Sequence, residues 1–191
     1  MNHPLPWKVV LIVEDDTDGQ ACRILKDRLG FSLTLEWLPA NGVGNIKRRG
    51  RQLIQLAHDR IQNGQGCVAV LLDRDGKDVG RAEPHRTIRQ VCREARIPLL
   101  LAIESLEAWL LADAGCAGWL AIRRPANADS LPHPKQEVER AYYRKAGRSY
   151  TRRARRILAG YADGSALQSS PSLQDALAHL NASPCAAVAQ H

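Results

Sequence analysis

The sequence predicts an α/β protein: an open, mostly parallel four-stranded sheet flanked by helices, followed by a C-terminal helical extension. Three observations predict it. Four short apolar, β-branched runs alternate with segments of helical spacing up to residue 114, the order that yields a doubly wound sheet. The first, third and fourth runs are apolar at consecutive positions, as strands covered on both faces are. Beyond residue 114 the strand-like runs cease, leaving helical spacing and a proline-rich loop. The expected organisation is an α/β domain over 1–114 and a loop and helical extension over 115–191 packed on it.

The first run, KVVLIVE at 8–14, is a buried strand ending in acid. Thr17 is the expected N-cap of a helix over 18–29, with Ala21, Ile24, Leu25 and Leu29 on one side and Gly30 as its terminator. FSLTLEWL at 31–38 alternates and reads as the second strand. A glycine-rich turn, Asn41-Gly-Val-Gly-Asn, leads to a helix over 46–62 that turns Leu53, Ile54, Leu56, Ala57 and Ile61 inward. CVAVLL at 67–72 is the third strand and runs into Asp73. A helix over 86–95, a fourth strand PLLLAI at 98–103 and a helix over 104–112 complete the pattern. Three prolines mark 123–134 as a loop. Short helices are expected over 135–146, 150–160 and 171–181, the last opened by Ser-Ser-Pro-Ser at 169–172, with a frayed tail after it.

With 45% apolar residues the chain can bury a core of ordinary size. Its five cysteines are odd in number and form no C-x-x-C pair, which argues against a disulfide framework and against a zinc site. Cys22 and Cys67 lie in apolar runs and read as core. The first eight residues lack a secretory pattern and no apolar stretch reaches a membrane-spanning length, so a cytoplasmic protein is expected. The formal charge of +7 and pI near 9.5 favour polyanionic partners. Lys47, Arg48, Arg49 and Arg51 form one basic cluster, and Arg144, Lys145, Arg148, Arg152, Arg153, Arg155 and Arg156 a denser one. Tyr142, Tyr143 and Tyr150 interleave with the second cluster and read as anchors to the core before stacking platforms for bases. Trp37, Trp109 and Trp119 read as core, and His85 and His133, beside prolines, as incidental loop residues.

In open parallel sheets ligands sit outside the carboxyl ends of the strands. Three of the four runs deliver carboxylates there: Glu14, Asp15, Asp16 and Asp18, then Asp73, Asp75 and Asp78, then Glu104 and Glu107. Acids crowded at one edge repel one another unless a cation neutralises them, and Mg²⁺ prefers such oxygen ligands. The two-residue spacing of Asp73 and Asp75 suits one shared ion. Asp16, and in part Glu104, fit a helix-start role instead. Lys77 and Lys135 are candidates for stabilising transition-state charge.

The order VVLIVEDDTD, AVLLDRDGKD and LAIESLEAWLLAD resembles the Toprim fold of topoisomerases, primases and OLD-type nucleases. It resembles most the small bacterial Toprim-like proteins, and Pro171-Ser172 ahead of LQDALAHL also fits. The likeness covers 8–113 well and 130–181 loosely, and its most specific part is IESLEAWLLAD. It implies Glu14 as general acid/base or metal ligand, Asp73 and Asp75 as the metal-binding pair, and Glu107 as the carboxylate of a second metal. Asp18 matches the acid of the first loop. One or two Mg²⁺ or Mn²⁺ ions and phosphodiester hydrolysis on DNA or RNA are implied, with Lys77 and the second basic cluster holding the backbone. Asp15 stands where the family has glycine, a residue better suited to tight turns.

No tyrosine occupies the early catalytic loops, which argues against a covalent topoisomerase mechanism. Small Toprim-like proteins are often found acting alongside an ATPase, and the resemblance implies a role in defence against phage or plasmids. This chain has no Walker A sequence, so an ATPase partner would supply any energy. The alternative within the family is a non-catalytic or regulatory subunit. LIVEDD also resembles a response-regulator receiver phosphorylated at Asp73, but Asp73 lies far beyond the acidic pair and no later strand supplies the expected lysine. LLDRDG resembles the haloacid-dehalogenase loop without that family's other motifs.

Overall fold

A computed structural model describes residues 8–61, 66–76 and 80–182. The expectations for Lys77, Asp78, the N-terminal segment and the tail with Cys185 lie outside them. The strands are β1 (Lys8–Val13), β2 (Thr34–Pro39), β3 (Gly66–Asp73) and β4 (Leu99–Ala102). The helices are α1 (Asp16–Arg28), α2 (Val43–His58), α3 (His85–Glu94), α4 (Leu106–Ala112), α5 (Ala114–Trp119), α6 (Pro134–Ala146), α7 (Arg152–Ala159) and α8 (Pro171–Ala182). Two 3₁₀ turns lie at Ala128–Ser130 and Ala166–Gln168. None of the described helices is long and apolar enough to cross a membrane.

The sheet is parallel throughout in the order β2-β1-β3-β4. The chain steps one way from β1 to β2 and then returns past β1 to β3. Its first crossover helix, α1, therefore covers one face, while α2 and α3 cover the other, as right-handed crossovers require. The pleat divides each central strand between two cores. Leu11, Val13, Ala69, Leu71, Leu100 and Ala102 face the core of α1. Val10, Ile12, Val68, Val70 and Leu72 face that of α2 and α3. The C-terminal segment enters the α1-side core, where Val138, Ala141, Tyr142, Leu158 and Leu173 are buried. The four described cysteines are free and buried.

Several boundaries differ from those expected, each for a local reason. The N-cap of α1 is Asp15, which accepts the N–H groups of Thr17 and Asp18 while Asp18 accepts that of Asp15, a reciprocal capping box. Asp15 sits at φ −139°, ordinary extended backbone, so this turn makes no demand for glycine. Helix α2 begins at Val43, three residues before the expected start, because Gly42 at φ +107° turns the chain into it. Helix α5 was not predicted: its sequence AGCAGW has no apolar stripe, and the Asp113 carboxylate starts it by accepting Cys116 N–H.

Two acids, Asp113 buried and Asp129 half-buried, fasten the C-terminal segment. Asp113, fully buried, also accepts the N–H groups of Asp163, Gly164 and Ser165 at 3.0, 3.0 and 3.1 Å. Asp129 accepts the N–H and hydroxyl of Ser172 at the start of α8, and that hydroxyl oxygen in turn accepts Trp109 Nε1–H at 2.8 Å. Trp109 is thus core, as expected, and carries a satisfied polar handle. Trp37 lies half-buried over Gly19 of α1, where an added Cβ would come within 2.1 Å of its ring.

Candidate metal centre at the carboxyl edge of the sheet

The direction of chain travel reverses between β1 and β3, and the crevice outside that pair is where an open parallel sheet opens to a ligand. Glu14 leaves β1 there and Asp73 closes β3. The Asp73 carboxylate accepts Leu106 N–H at 2.8 Å, the first amide of α4. Asp75 follows at φ +52°, its N–H bound to Glu104 O at 2.9 Å, so the Asp-x-Asp loop is stitched to the turn that opens α4. Glu107 lies on the buried first turn of that helix.

These placements set the electrostatics. Burial, then the charges of Glu107, Glu14 and Asp75, push the Asp73 carboxyl well above its ordinary range against the one favourable N–H of Leu106. Burial first and Asp75 second raise Glu14, against the nearby N–H groups of Asp73 and Val43 and the His85 ring. Burial raises Glu107 as well. Mutual repulsion is thus built into the carboxyl edge.

One buried cation partly relieves it. Arg155 of α7 is 8% exposed and donates from Nε and Nη2 to Glu107 Oε1 at 2.9 and 2.8 Å, and from Nη1 to Asp18 Oδ1. Burial lowers its pKa and the charges of Asp15 and Glu14 oppose that. Tyr150 adds its hydroxyl to the same Glu107 oxygen at 3.3 Å. The second oxygen, Oε2, is buried without a hydrogen-bonding partner. Arg152 reaches Asp15 at 3.4 Å across the rim. Glu14, Asp73, Lys135, Tyr150, Arg152 and Arg155 line an open cleft of about 340 Å³.

Of the five acids expected to gather on a metal, all lie at this edge, but they divide. Asp18 and Glu107 are committed to Arg155, while Glu14, Asp73 and Asp75 act on one another as like charges. Accordingly, among the described residues no three His, Cys, Asp or Glu side chains stand positioned to share one ion. The donor set nonetheless fits a hard cation, being all oxygen, mutually repelling, and including the unpartnered Glu107 Oε2.

Arg155, expected among surface cations for nucleic acid, is instead interior and paired with acids. Arg144, Lys145, Arg148, Arg152, Arg153 and Arg156 are exposed, on α6, α7 and the loop between them. Lys47 and Arg51 of the first basic cluster pair with Glu83 and Glu94 at 3.0 and 2.7 Å. Tyr142 and Tyr150 are the anchors foreseen, meeting edge to face at 5.4 Å, whereas Tyr143 is 61% exposed. His85 is not incidental: at 1% exposure its Nε2 lies 2.8 Å from Asp73 O, behind the site. Its isolation beside Pro84 concealed that role, since nothing in the local spacing marks the loop as buried.

Compared with known proteins, the chain matches no family model, no curated protein and no solved structure.

Proposed function

We propose that this chain is a Mg²⁺-dependent, Toprim-like protein that acts on phosphodiester bonds of nucleic acid, as a nuclease. The observation that carries the reading is Asp73, whose carboxyl is driven up first by burial and then by three neighbouring carboxylates at the switch point of the sheet. Perturbation of that kind, in a cleft, is characteristic of functional sites. Glu14, Asp73 and Asp75 would hold the ion, Mg²⁺ or Mn²⁺. Bound there, it would polarise a phosphate and lower the pKa of an attacking water.

The chain's own groups do the rest. Glu14, half-buried and raised in pKa chiefly by that burial, keeps a proton to higher pH than an ordinary carboxylate. Lys135 stands at the cleft, where a cation faces charge developing on a phosphate. The exposed arginines of α7 and the α6–α7 loop supply positive surface beside the cleft for the backbone. An ATPase partner and a part in defence belong to the same reading through the Toprim resemblance.

The test is incubation with labelled single- and double-stranded DNA and RNA, with Mg²⁺, Mn²⁺ or EDTA, beside an Asp73→Ala/Asp75→Ala variant. Metal-dependent cleavage that the variant loses is the expected result. Cleavage that persists in EDTA, or in the variant, would refute it. Metal binding without cleavage of any substrate would leave the regulatory subunit as the reading of the site.

A further inference from the structure

Strand β4 lies at one side of the sheet, and no described strand pairs with its outer edge. Val70 N–H donates to Pro98 O at 3.1 Å and Arg74 N–H to Ala102 O at 2.9 Å, so residues 98, 100 and 102 turn their backbone groups to β3. By alternation, Leu99 and Leu101 turn theirs to the open side. Beside that edge, α3 and the start of β4 enclose a groove of about 540 Å³. Its floor is apolar, made by Cys92, Ile97 and Leu99, and Arg86, Arg89 and Arg93 of α3 stand along it.

The acids near this groove are already engaged. Glu83 pairs with Lys47 and Arg86 at 3.0 and 2.9 Å, and Glu94 accepts from Arg51 and Gln90 at 2.7 and 2.9 Å. The Arg89 and Arg93 guanidiniums are exposed and make no hydrogen bond or ion pair with any described residue. We propose that this edge docks an extended, acidic segment of a partner protein, which adds to β4 as a further strand and sets its carboxylates against Arg89 and Arg93. The spacings agree. Residues four apart on a helix are separated by about 6 Å along its axis, and residues two apart on a strand by roughly 6.6 Å. Acids at alternate positions of the segment therefore meet the two arginines, and an apolar side chain further along the same face covers Ile97 and Leu99. Nucleic acid fits this place less well, because no aromatic side chain lines the groove for bases to stack on. A second copy of the chain is opposed by charge, since a two-fold pairing of β4 edges would set two rows of α3 arginines side by side on one face.

The full chain is titrated, in EDTA, into the fluorescein-labelled peptide Thr-Asp-Thr-Asp-Thr-Ile-Thr, and anisotropy is read. Saturable binding is expected, weakened about tenfold in Arg89→Ala/Arg93→Ala and as much when both peptide aspartates are replaced by Asn. Arg89→Glu/Arg93→Glu should instead bind the peptide that carries Lys at those two places. On the isotope-labelled chain, the peptide should slow amide exchange of Leu99 and Leu101 far more than that of Leu100 and Ala102, which already face β3. No binding, equal binding of the Asn peptide, or binding that leaves Leu99 and Leu101 unprotected would overturn the inference. So would tighter, Arg89- and Arg93-dependent binding of a short labelled oligothymidylate, which would make the surface one for nucleic acid. A dimer that the peptide dissociates, seen by sedimentation, would overturn it in favour of a second copy.

Discussion

Replacing Asp73 by Asn should stabilise the metal-free protein while abolishing its response to metal. Asn keeps the oxygen that accepts Leu106 N–H and removes the charge that Glu107, Glu14 and Asp75 oppose. Two like charges about 8 Å apart at an effective dielectric of about 20 repel by ~2 kcal/mol. Arg155 offsets part of this by pairing with Glu107. A net gain of about 1–2 kcal/mol is expected, roughly 3–6 °C in Tm for a chain of this size.

The pH dependence fixes the cause. The folded-state pKa of Asp73 is raised above its unfolded value. Below about pH 4 the group is protonated in both states and the substitution should change little. As pH rises, the unfolded chain releases the proton first, so the wild type loses stability through the folded-state pKa and the variant does not. Thermal melts in EDTA from pH 4 to 8 should therefore diverge with rising pH. Adding Mg²⁺ at about 100 times its Kd should return ~2.7 kcal/mol to the wild type and nothing to the variant. A variant less stable than the wild type at pH 8, or a difference independent of pH, would refute the argument.

Two further substitutions probe other parts of the fold. Asp113→Ala should cost about 3–5 kcal/mol, because four backbone N–H groups, of Cys116, Asp163, Gly164 and Ser165, lose their acceptor, and the urea midpoint reads the loss. Replacing exposed Arg148, Arg153 and Arg156 together by Ala should weaken nucleic-acid binding similarly for all sequences and lower the slope of log K against log salt by roughly 2–3. Filter binding between 50 and 200 mM salt would show it, and an unchanged slope would place the contact surface elsewhere.

The sheet was legible because its strands are continuous apolar runs, and each of the four appears within three residues of its expected limits. The acids at strand ends were legible because strand direction alone puts them on one edge. What escaped were contacts between residues far apart in sequence. Asp113 reads as the end of LEAWLLAD, and only the fold brings it to the backbone of 163–165. Arg155 could have been found: it falls three residues before Leu158 and four before Ala159, on the apolar side of α7. Within the run RRARR, composition masked that position. Helical periodicity is the signal that separates a buried arginine from solvated ones.

The role of Arg155 also changes how the two halves of the chain relate. Residues 1–114 supply the carboxylates at the strand ends, and the segment after them supplies Arg152 and Arg155 for Asp15, Asp18 and Glu107, with Tyr150 beside them and Glu139 of α6 also lining the cleft. Without that segment, two acids turned toward each other would lack a counter-charge, and an uncompensated buried charge is strongly destabilising. The helical extension is thus an electrostatic half of the site as well as a covering for the sheet. Its arginines divide by burial: Arg155 on the apolar side of α7 balances the acids, and of the exposed ones Arg152 lines the cleft beside Asp15. Helix α7 turns Arg155 inward to the acids while its chain neighbour Arg156 stays exposed, because adjacent helical positions point about 100° apart.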